Sequence, residues 1–578
     1  MRTRSWQGAT FEWLLSAMIL FLFSVIACAP ILWYGASSGD SLVTNLIWLN
    51  NFSEQLSQGD LYPRWLMNMN RGAGSPTFYF YAPVSYYIAS LPTLTMTGQN
   101  LIVALAWGEC ILLALSGISF YWYARSRFSS VIATSCSMLY MLLPYHFETD
   151  LLQRQDIAEL ASYIWMPLLL YYTDELLKKR RGMVGLSATY ALLVLSHLPS
   201  ALISTICFAG YTLVCLPSCN KSSCLLMFFF SVALGLLLSG IYWVPALFSQ
   251  KYVHPEAWWG SYFDFHRWFF PVRSTAFLKL SPTALPFITR LFFIVCLVAA
   301  MFFACWLAEV RRRKELDSQF MKGQLALAIV ALFMMSSASS VVWEIVPELW
   351  KIQFPWRFFL ILDFATALAA LSALDLMYRS KDWIAGAALV TTIGLLVLSL
   401  ATAGFRDVLD SMYRPWLLKT LDDPIRRAID VPEYETKWNP ANSDDISKMI
   451  TGLDKVTYDH VNGSISIVRW KPRDIRFTAN LRAPTWIITR QFYYPNWRAR
   501  RKDGSLLPLV PEKSNGLILL YLPQGIYDVR LKLELSPEEQ VGLLLTLSGV
   551  AVILFFSVGR RRYSGSKWRL DFRRFPQA

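Results

Sequence analysis

The stretch Phe11-Glu-Trp-Leu-Leu-Ser-Ala-Met-Ile-Leu-Phe-Leu-Phe-Ser-Val-Ile-Ala-Cys-Ala-Pro-Ile-Leu-Trp33 carries a single charge, Glu12, and runs straight into Tyr34-Gly-Ala-Ser-Ser-Gly-Asp40. An apolar run of this length matches the roughly 20 residues that cross a bilayer as a helix. Asp40 then falls where the chain leaves the hydrocarbon, and a carboxylate fixed at that boundary can take a proton from a hydroxyl. Arg2 and Arg4 precede the run, with no small-residue cleavage site after it, so it reads as a retained signal-anchor.

The rest of the chain repeats the pattern. Hydrophobic residues make up 55% of the 578, charged residues 16%, and the mean hydropathy is +0.37. That is too apolar for a soluble chain. Basic clusters at Arg2/Arg4, Arg125/Arg127, Lys178–Arg181, Lys221, Arg311–Lys314, Arg379/Lys381 and Arg560–Arg562 are each separated from the next by a pair of apolar runs. The runs lie near 11–33, 99–121, 128–146, 160–176, 183–198, 200–217, 224–247, 289–309, 323–343, 357–378, 383–404 and 540–558. Positive loops stay in the cytoplasm, which predicts about twelve spans with both termini cytoplasmic. The net charge of +14 is absorbed by those loops and by the tail 559–578, where it faces anionic lipid. No nucleic-acid partner is needed.

The predicted organisation is a multi-span module over 1–404, an external domain over 405–539, and a last span with a basic cytoplasmic tail over 540–578. External loops are expected at 34–99, 147–159 and 249–288. The amphipathic middle of the first, Leu42 to Leu66, predicts helices lying in the interface. The external domain changes character internally. Residues 405–458 read as charged and helical, broken by Pro415, Pro424, Pro432 and Pro440. From Asn462 to about 535, apolar and polar residues alternate in short runs separated by Asp503-Gly504, Asn515-Gly516 and Gln524-Gly525, which predicts antiparallel strands and a small β-sandwich. All nine cysteines fall between Cys28 and Cys305, so this domain holds together without disulfides. Cys215, Cys219 and Cys224 lack the close pairing and the fourth ligand of a zinc site.

Ionisable residues gather on the external side: Asp40, Tyr62 and Arg64; Asp150, Arg154, Asp156 and Glu159; His197 in Leu195-Ser-His-Leu-Pro199; and Arg357 in Gln353-Phe-Pro-Trp-Arg357. Such groups next to hydrocarbon are costly and mark function. Asp150 and Arg154 are spaced i, i+4, Asp156 and Glu159 i, i+3, so a helical loop would make each a neighbouring pair. The structural alternatives are a capping salt bridge, a packed histidine at 197, and interfacial roles for His254, His266 and the aromatics of 252–270. A transporter would instead place charges near the midplane and show two matching halves, which the sequence does not.

Gly59-Asp-Leu-Tyr-Pro-Arg-Trp65, Gly72-Ala-Gly-Ser-Pro-Thr-Phe-Tyr-Phe-Tyr-Ala-Pro83 and Tyr86-Tyr87, together with Pro144-Tyr-His146, Arg154 with Glu159, Ser196-His197 and Gln353–Arg357, resemble landmarks of the bacterial membrane proteins named 6-pyruvoyl-tetrahydropterin synthase-related. Phe492-Tyr-Tyr-Pro-Asn-Trp-Arg-Ala499 looks like the C-terminal external domain of related large membrane proteins. Both groups are similar to the C-type (GT-C) glycosyltransferase superfamily. The resemblance implies a GT-C-like polytopic α-helical fold in a bacterial inner membrane, and transfer of a sugar from a polyprenyl-phosphate donor to a glycan, lipid or protein acceptor. By the same resemblance Asp40 is the catalytic base. Arg64, Arg154 and Arg357 are the phosphate-binding candidates, with Tyr62, Asp150, Glu159 and His197 in support. A divalent cation is a candidate cofactor, with Asp150 and Glu159 as its ligands. The chain departs from the family pattern where a histidine often follows the aspartate; Thr44 stands in that region. Two other readings remain: a lipid or polysaccharide exporter whose charges guide head groups, and a non-catalytic scaffold whose β-domain binds a glycan.

Overall fold

The structure is a computed structural model, and it describes residues 6–36, 39–96, 101–217, 221–256, 263–270, 318–380, 430–439, 450 and 452–563. The expected spans at 289–309 and 383–404 lie outside those residues. The N-terminal run folds as α1 (Trp6–Ala27) and, after Cys28, α2 (Ala29–Tyr34), with Pro30 in the first turn of α2, where its missing N–H costs nothing. The first loop opens with α3 (Leu42–Ser57). The bundle continues through α4 (Leu101–Arg125), α5 (Ser130–Leu142), α6 (Ile157–Lys179), α7 (Met183–Val194), α8 (Leu198–Val214), α9 (Lys221–Leu238), α10 (Gly240–Phe248), α11 (Ser318–Met335) and α12 (Phe359–Ser380). It closes with α13 (Pro537–Tyr563).

Among the described residues five helices are long and apolar enough to cross a membrane: Thr10–Ala27, Leu101–Arg125, Lys221–Leu238, Pro355–Leu376 and Pro537–Phe556. The window in Pro355–Leu376 is 83% buried, against 17% for the first and last, so α12 is the centre of the bundle and α1 and α13 its rim. Packing agrees. Helix α12 lies against α5 and α11, α4 against α1, α5 and α6, and α13 against α9 and α10. The expected spans 183–198 and 200–217 are short helices of 12 and 17 residues joined by a turn at 195–197.

Helix α3 forms where its amphipathic pattern predicts, and protein covers its apolar face. Leu46, Ile47, Trp48, Leu49 and Phe52 are buried, Trp48 and Phe52 packing against Phe78 and Tyr86. Residues 147–159 are likewise no solvated loop: Tyr145–Arg154 is a buried π-helical segment, started by Pro144 and ended by left-handed Gln155.

The alternating C-terminal sequence forms two antiparallel sheets, ordered β1-β4-β8-β7 and β2-β3-β9-β5-β6. The strands are β1 (Val456–Thr457), β2 (Gly463–Lys471), β3 (Asp474–Leu481), β4 (Thr485–Phe492), β5 (Trp497–Arg501), β6 (Leu506–Leu507), β7 (Leu509–Pro511), β8 (Leu517–Leu522) and β9 (Gly525–Leu533). Ile475, Phe477, Val529 and Leu531 of one sheet and Ile487, Leu520 and Leu522 of the other are buried as the apolar half of the period-two pattern. Among the described residues of 405–458, the segment 430–439 is not helical beyond one turn at Pro432–Tyr434. It tucks under the first loop instead, where buried Asp430 accepts hydrogen bonds from Trp48 Nε1 (2.9 Å), Thr77 Oγ1 (2.5 Å) and the Ser75 hydroxyl.

The β-domain is fastened to the first loop through Trp65. Its indole donates to Gln491 Oε1 at 2.8 Å, and its ring meets Trp497 edge-on at 6.1 Å. Gly74 makes this possible: its φ is +82°, and a Cβ there would lie 2.4 Å from Trp65 Nε1. Gly74→Ala should therefore lower stability by about 1–3 kcal/mol, through a left-handed backbone and an overpacked indole together. Thermal unfolding of the two proteins checks this, and equal melting points would show that Trp65 is free to yield.

Candidate active site

Four separate pieces of chain bring charge to one place. The wide π turn delivers Asp150 and Arg154; left-handed Gln155 then turns the chain so that α6 begins immediately, with Asp156 as its N-cap accepting from Glu159 N at 3.0 Å. A 3₁₀ turn, Pro355–Phe358, leads Arg357 into the same place ahead of α12. The turn between α7 and α8 supplies His197. The loop after α2 supplies Asp40.

The ion pairs are short and shared. Arg154 Nη1 reaches Asp150 Oδ1 at 2.5 Å and Glu159 Oε2 at 2.7 Å, while its Nη2 reaches Asp156 Oδ2 at 2.9 Å. Arg357 meets the same carboxylates from the other side, Nε to Glu159 Oε2 at 3.3 Å and Nη2 to Asp156 Oδ2 at 3.5 Å. Its Nη1 donates to the Ile352 carbonyl at 3.1 Å. Tyr145 donates its hydroxyl to Glu159 Oε1 at 2.9 Å, and the Trp356 ring lies 5.0 Å under the Arg154 guanidinium. Burial, with Glu159 beside it, pushes Asp150 well above the ordinary carboxylate range. Burial also works against Asp156, yet Arg154, His197 and Arg357 outweigh it and hold that carboxyl below its usual value. Asp156 stays charged, then, while Asp150 takes up a proton readily.

Asp40 is seated on this cluster by its backbone. Its N–H donates to the Gln153 carbonyl at 2.9 Å, and the next N–H, of Ser41, to the Arg154 carbonyl at 3.0 Å. Gly39 permits the approach, since a Cβ there would stand 2.7 Å from the Gln153 oxygen. The Asp40 side chain is exposed and accepts no hydrogen bond among the described residues. Partial burial raises its carboxyl above the ordinary value, opposed by nearby Arg154.

The site thus unites Asp40, Asp150, Arg154, Glu159, His197 and Arg357. It leaves out Arg64 and Tyr62. Arg64 is 4% exposed, with Nη1 on Glu539 Oε1 at 2.5 Å and Nη2 donating to the Ile241 carbonyl at 2.6 Å; Tyr62 lies beneath its guanidinium at 4.2 Å. Glu539 also accepts from Tyr79 and, with Ser536, forms a capping box at the start of α13. Arg64 is therefore a strut between the first loop and the last helix. Ser536-Pro-Glu-Glu539 was the readable signal for that cap. His254 and His266 pair locally with Glu256 and Asp264, each at 2.8 Å, and stay outside the site.

The donors that could hold a cation are Asp156, Glu159 and His197, whose ligand atoms lie within 4.8 Å of one another. Asp150, expected as a ligand, is not one of those three. Two carboxylate oxygens and an imidazole suit a divalent ion. His197 Nδ1 is engaged by the Ser200 hydroxyl at 2.7 Å, the kind of second contact that fixes a ligating ring. In the sequence Asp156 stands out only as the i, i+3 neighbour of Glu159; its helix-capping position was the sign that it would be fixed.

Away from this cluster, burial together with Asp430 and Glu433 pushes Glu435 up to about 7. In the unfolded chain the group titrates near 4.3. Between those values the unfolded chain gives up the proton first, so the stability that comes with a neutral Glu435 is full below about pH 4.3 and is lost as pH rises through about 7. Glu435→Gln should match the wild type near pH 4 and be more stable by about 3 kcal/mol at pH 8. A constant difference in melting temperature across that range would refute this.

No family model matches the chain, and no curated protein does. Among solved structures it is similar to the oligosaccharyltransferase AglB from Archaeoglobus fulgidus in complex with an inhibitory peptide and a dolichol-phosphate: 16% identity over 76% of this chain and 62% of that one, TM-score 0.43. The apo form of the Archaeoglobus fulgidus oligosaccharyltransferase gives 16%, 78%, 59% and 0.40, and ArnT from Cupriavidus metallidurans in the apo state 16%, 72%, 74% and 0.39. The chain spans about three fifths of the length of the archaeal oligosaccharyltransferase chains, 59% and 62%.

Proposed function

We propose that the chain is a membrane glycosyltransferase that moves a sugar from a polyprenyl-phosphate donor to an acceptor hydroxyl on the external face of a bacterial inner membrane. The observation that carries this reading is the pairing of an exposed Asp40 carboxylate, unbonded among the described residues, with a largely buried two-arginine cluster that its backbone is seated on. In the proposed reaction Asp40 accepts the proton of the acceptor hydroxyl, whose oxygen attacks the anomeric carbon. The bond from that carbon to the phosphate oxygen breaks, and its electrons leave with the polyprenyl phosphate. Arg154 and Arg357 face the charge that develops there, a task for which planar, fork-shaped donors suit phosphate.

With all groups ionised, Asp150, Asp156 and Glu159 against Arg154 and Arg357 sum to one negative charge, and protonation of Asp150 brings the cluster to neutral. A divalent cation on Asp156, Glu159 and His197 would supply the further positive charge that favours an anionic head group there. Arg64, tied to Glu539, belongs to the scaffold in this reading. The direct test supplies protein in lipid nanodiscs with a panel of polyprenyl-phosphate sugars and follows release of free polyprenyl phosphate by mass spectrometry. Mass spectrometry of envelope glycans with and without the gene identifies the acceptor. No release from any donor, and an unchanged envelope, would remove the reading.

A further inference from the structure

We propose that the outer face of the five-stranded sheet docks an acidic polysaccharide; taking that polymer as the acceptor rests on the transferase reading above. Arg469 stands opposite Arg476 across β2 and β3, Arg476 opposite Arg530 across β3 and β9, and Arg530 opposite Arg500 across β9 and β5. Four arginines thus form one straight row over four adjacent strands. At about 4.8 Å between strands the row is roughly 14 Å long. All four are exposed, on the face away from buried Phe477, Val529 and Ala499.

Like charges directly opposite in a sheet repel, and the fold does not require them: outward positions here need only be polar. Three carboxylates moderate the repulsion. Asp528 binds Arg476, with Nε donating at 2.8 Å; Asp474 takes Arg530 at 2.7 Å and also Arg469 at 3.1 Å; Glu534 takes Arg500 at 3.2 Å. Lys471, Lys532 and Arg498 add three more cations in the next row, where Lys471 faces Asp474 and Lys532 faces Arg498. Seven cations against three carboxylates leave a surplus of four positive charges on this face. A line of cations with hydrogen-bonding forks complements a linear chain bearing carboxylates at intervals. An anionic membrane fits less well. The exposed apolar side chains here, Leu506 opposite Arg500 on β6, Val468 beside Arg469 on β2 and Ile526 at the start of β9, the end away from α13, stand on three different strands and do not gather into one patch that could insert.

The test uses the full chain in nanodiscs of zwitterionic lipid, with labelled polygalacturonate as probe and dextran as the neutral control. Polygalacturonate should bind and dextran should not, and binding should weaken roughly tenfold between 50 and 200 mM salt as counterions return. Arg469→Gln with Arg500→Gln, at the two ends of the row, should reduce affinity about tenfold. Lys455→Gln with Lys513→Gln, the same charge change off this face, should leave it unaltered. Absence of polygalacturonate binding, or an equal loss in both double variants, overturns the proposal. So does row-dependent capture by phosphatidylglycerol vesicles without polygalacturonate binding, which assigns the face to lipid. Row-dependent binding without sugar transfer from any donor leaves the docking face standing and removes the transferase reading.

Discussion

Arg154→Ala should cost about 3–5 kcal/mol of stability and abolish transfer, because it removes one side of a buried ion-pair cluster. Among the described residues the guanidinium is the one partner that touches Asp150, Asp156 and Glu159 together, and the side chains of Asp150 and Glu159 are 0% exposed. Without it, three carboxylates would face Arg357 alone. Among the described residues the Asp150 carboxyl would keep only a long hydrogen bond from Tyr163, at 3.4 Å. The cost is that of an uncompensated buried charge, and the way to relieve it is known. Adding Asp150→Asn to Arg154→Ala should recover much of the lost stability, because the carboxyl removed is the one that burial already drives toward its neutral form. Lower pH should shrink the deficit of the single variant for the same reason: orphaned carboxylates take up protons, and stability returns as pH falls. Arg154→Lys should keep the fold better than alanine yet transfer poorly, since an ammonium cannot span three carboxylates and still present a planar fork. Melting curves of the single and double variants decide the matter, and a single variant as stable as wild type would mean the cluster relaxes around the gap.

What could be read beforehand was whatever lies close in sequence. The i, i+4 pair Asp150–Arg154 is present as spaced, the strands of 463–533 follow the alternation almost residue for residue, and Arg357 enters after Pro355-Trp356 as the motif suggests. The misses are long-range. Glu539 is 475 residues from Arg64, and Asp430 lies 353 to 382 residues from its hydroxyl and indole donors, so no periodicity could link them. Membrane side grouped Arg64 with Arg154 and Arg357, but sharing a side is not sharing a site. The π-helical segment was equally hidden. Its extra residue per turn is stabilised by contacts from elsewhere, such as Asp363 accepting from His146 N at 3.0 Å, and local propensity carries no trace of them. The acidic pair that could hold a cation is Asp156 and Glu159 and not Asp150 and Glu159 for a related reason: spacing nominates neighbours, while only packing sets which ligand atoms lie within reach of His197. Of the about twelve expected spans, five are long apolar helices among the described residues, α7 and α8 are shorter helices, and 289–309 and 383–404 lie outside those residues.

Asp40→Asn should cost roughly 10²–10⁴ in transfer rate while leaving the fold intact. The two halves of that expectation have separate causes. The Asp40 side chain is exposed and bonded to nothing described, and the position is held by backbone hydrogen bonds to Gln153 and Arg154 that asparagine keeps. Stability should change by no more than about 0.5 kcal/mol, as for surface substitutions generally. The chemistry should change greatly, because an amide cannot accept the acceptor's proton. Partial burial, acting against Arg154, raises this carboxyl above its ordinary value, which makes it a better base once ionised. The sign of the pH effect follows. Activity should be full where Asp40 is ionised and fall as pH drops through its raised pKa, and the residual rate of Asp40→Asn should lack that acidic limb. Asp40→Glu should recover little, since the backbone seat fixes where the carboxylate starts and one more methylene displaces where it ends. These outcomes separate bond breaking from transport. An exporter that merely guides head groups past the cluster would still move lipid-linked sugar across the membrane with asparagine at this position, and no proton would need a home. Wild-type sugar transfer by Asp40→Asn would return Asp40 to a boundary residue and leave the arginines without a base.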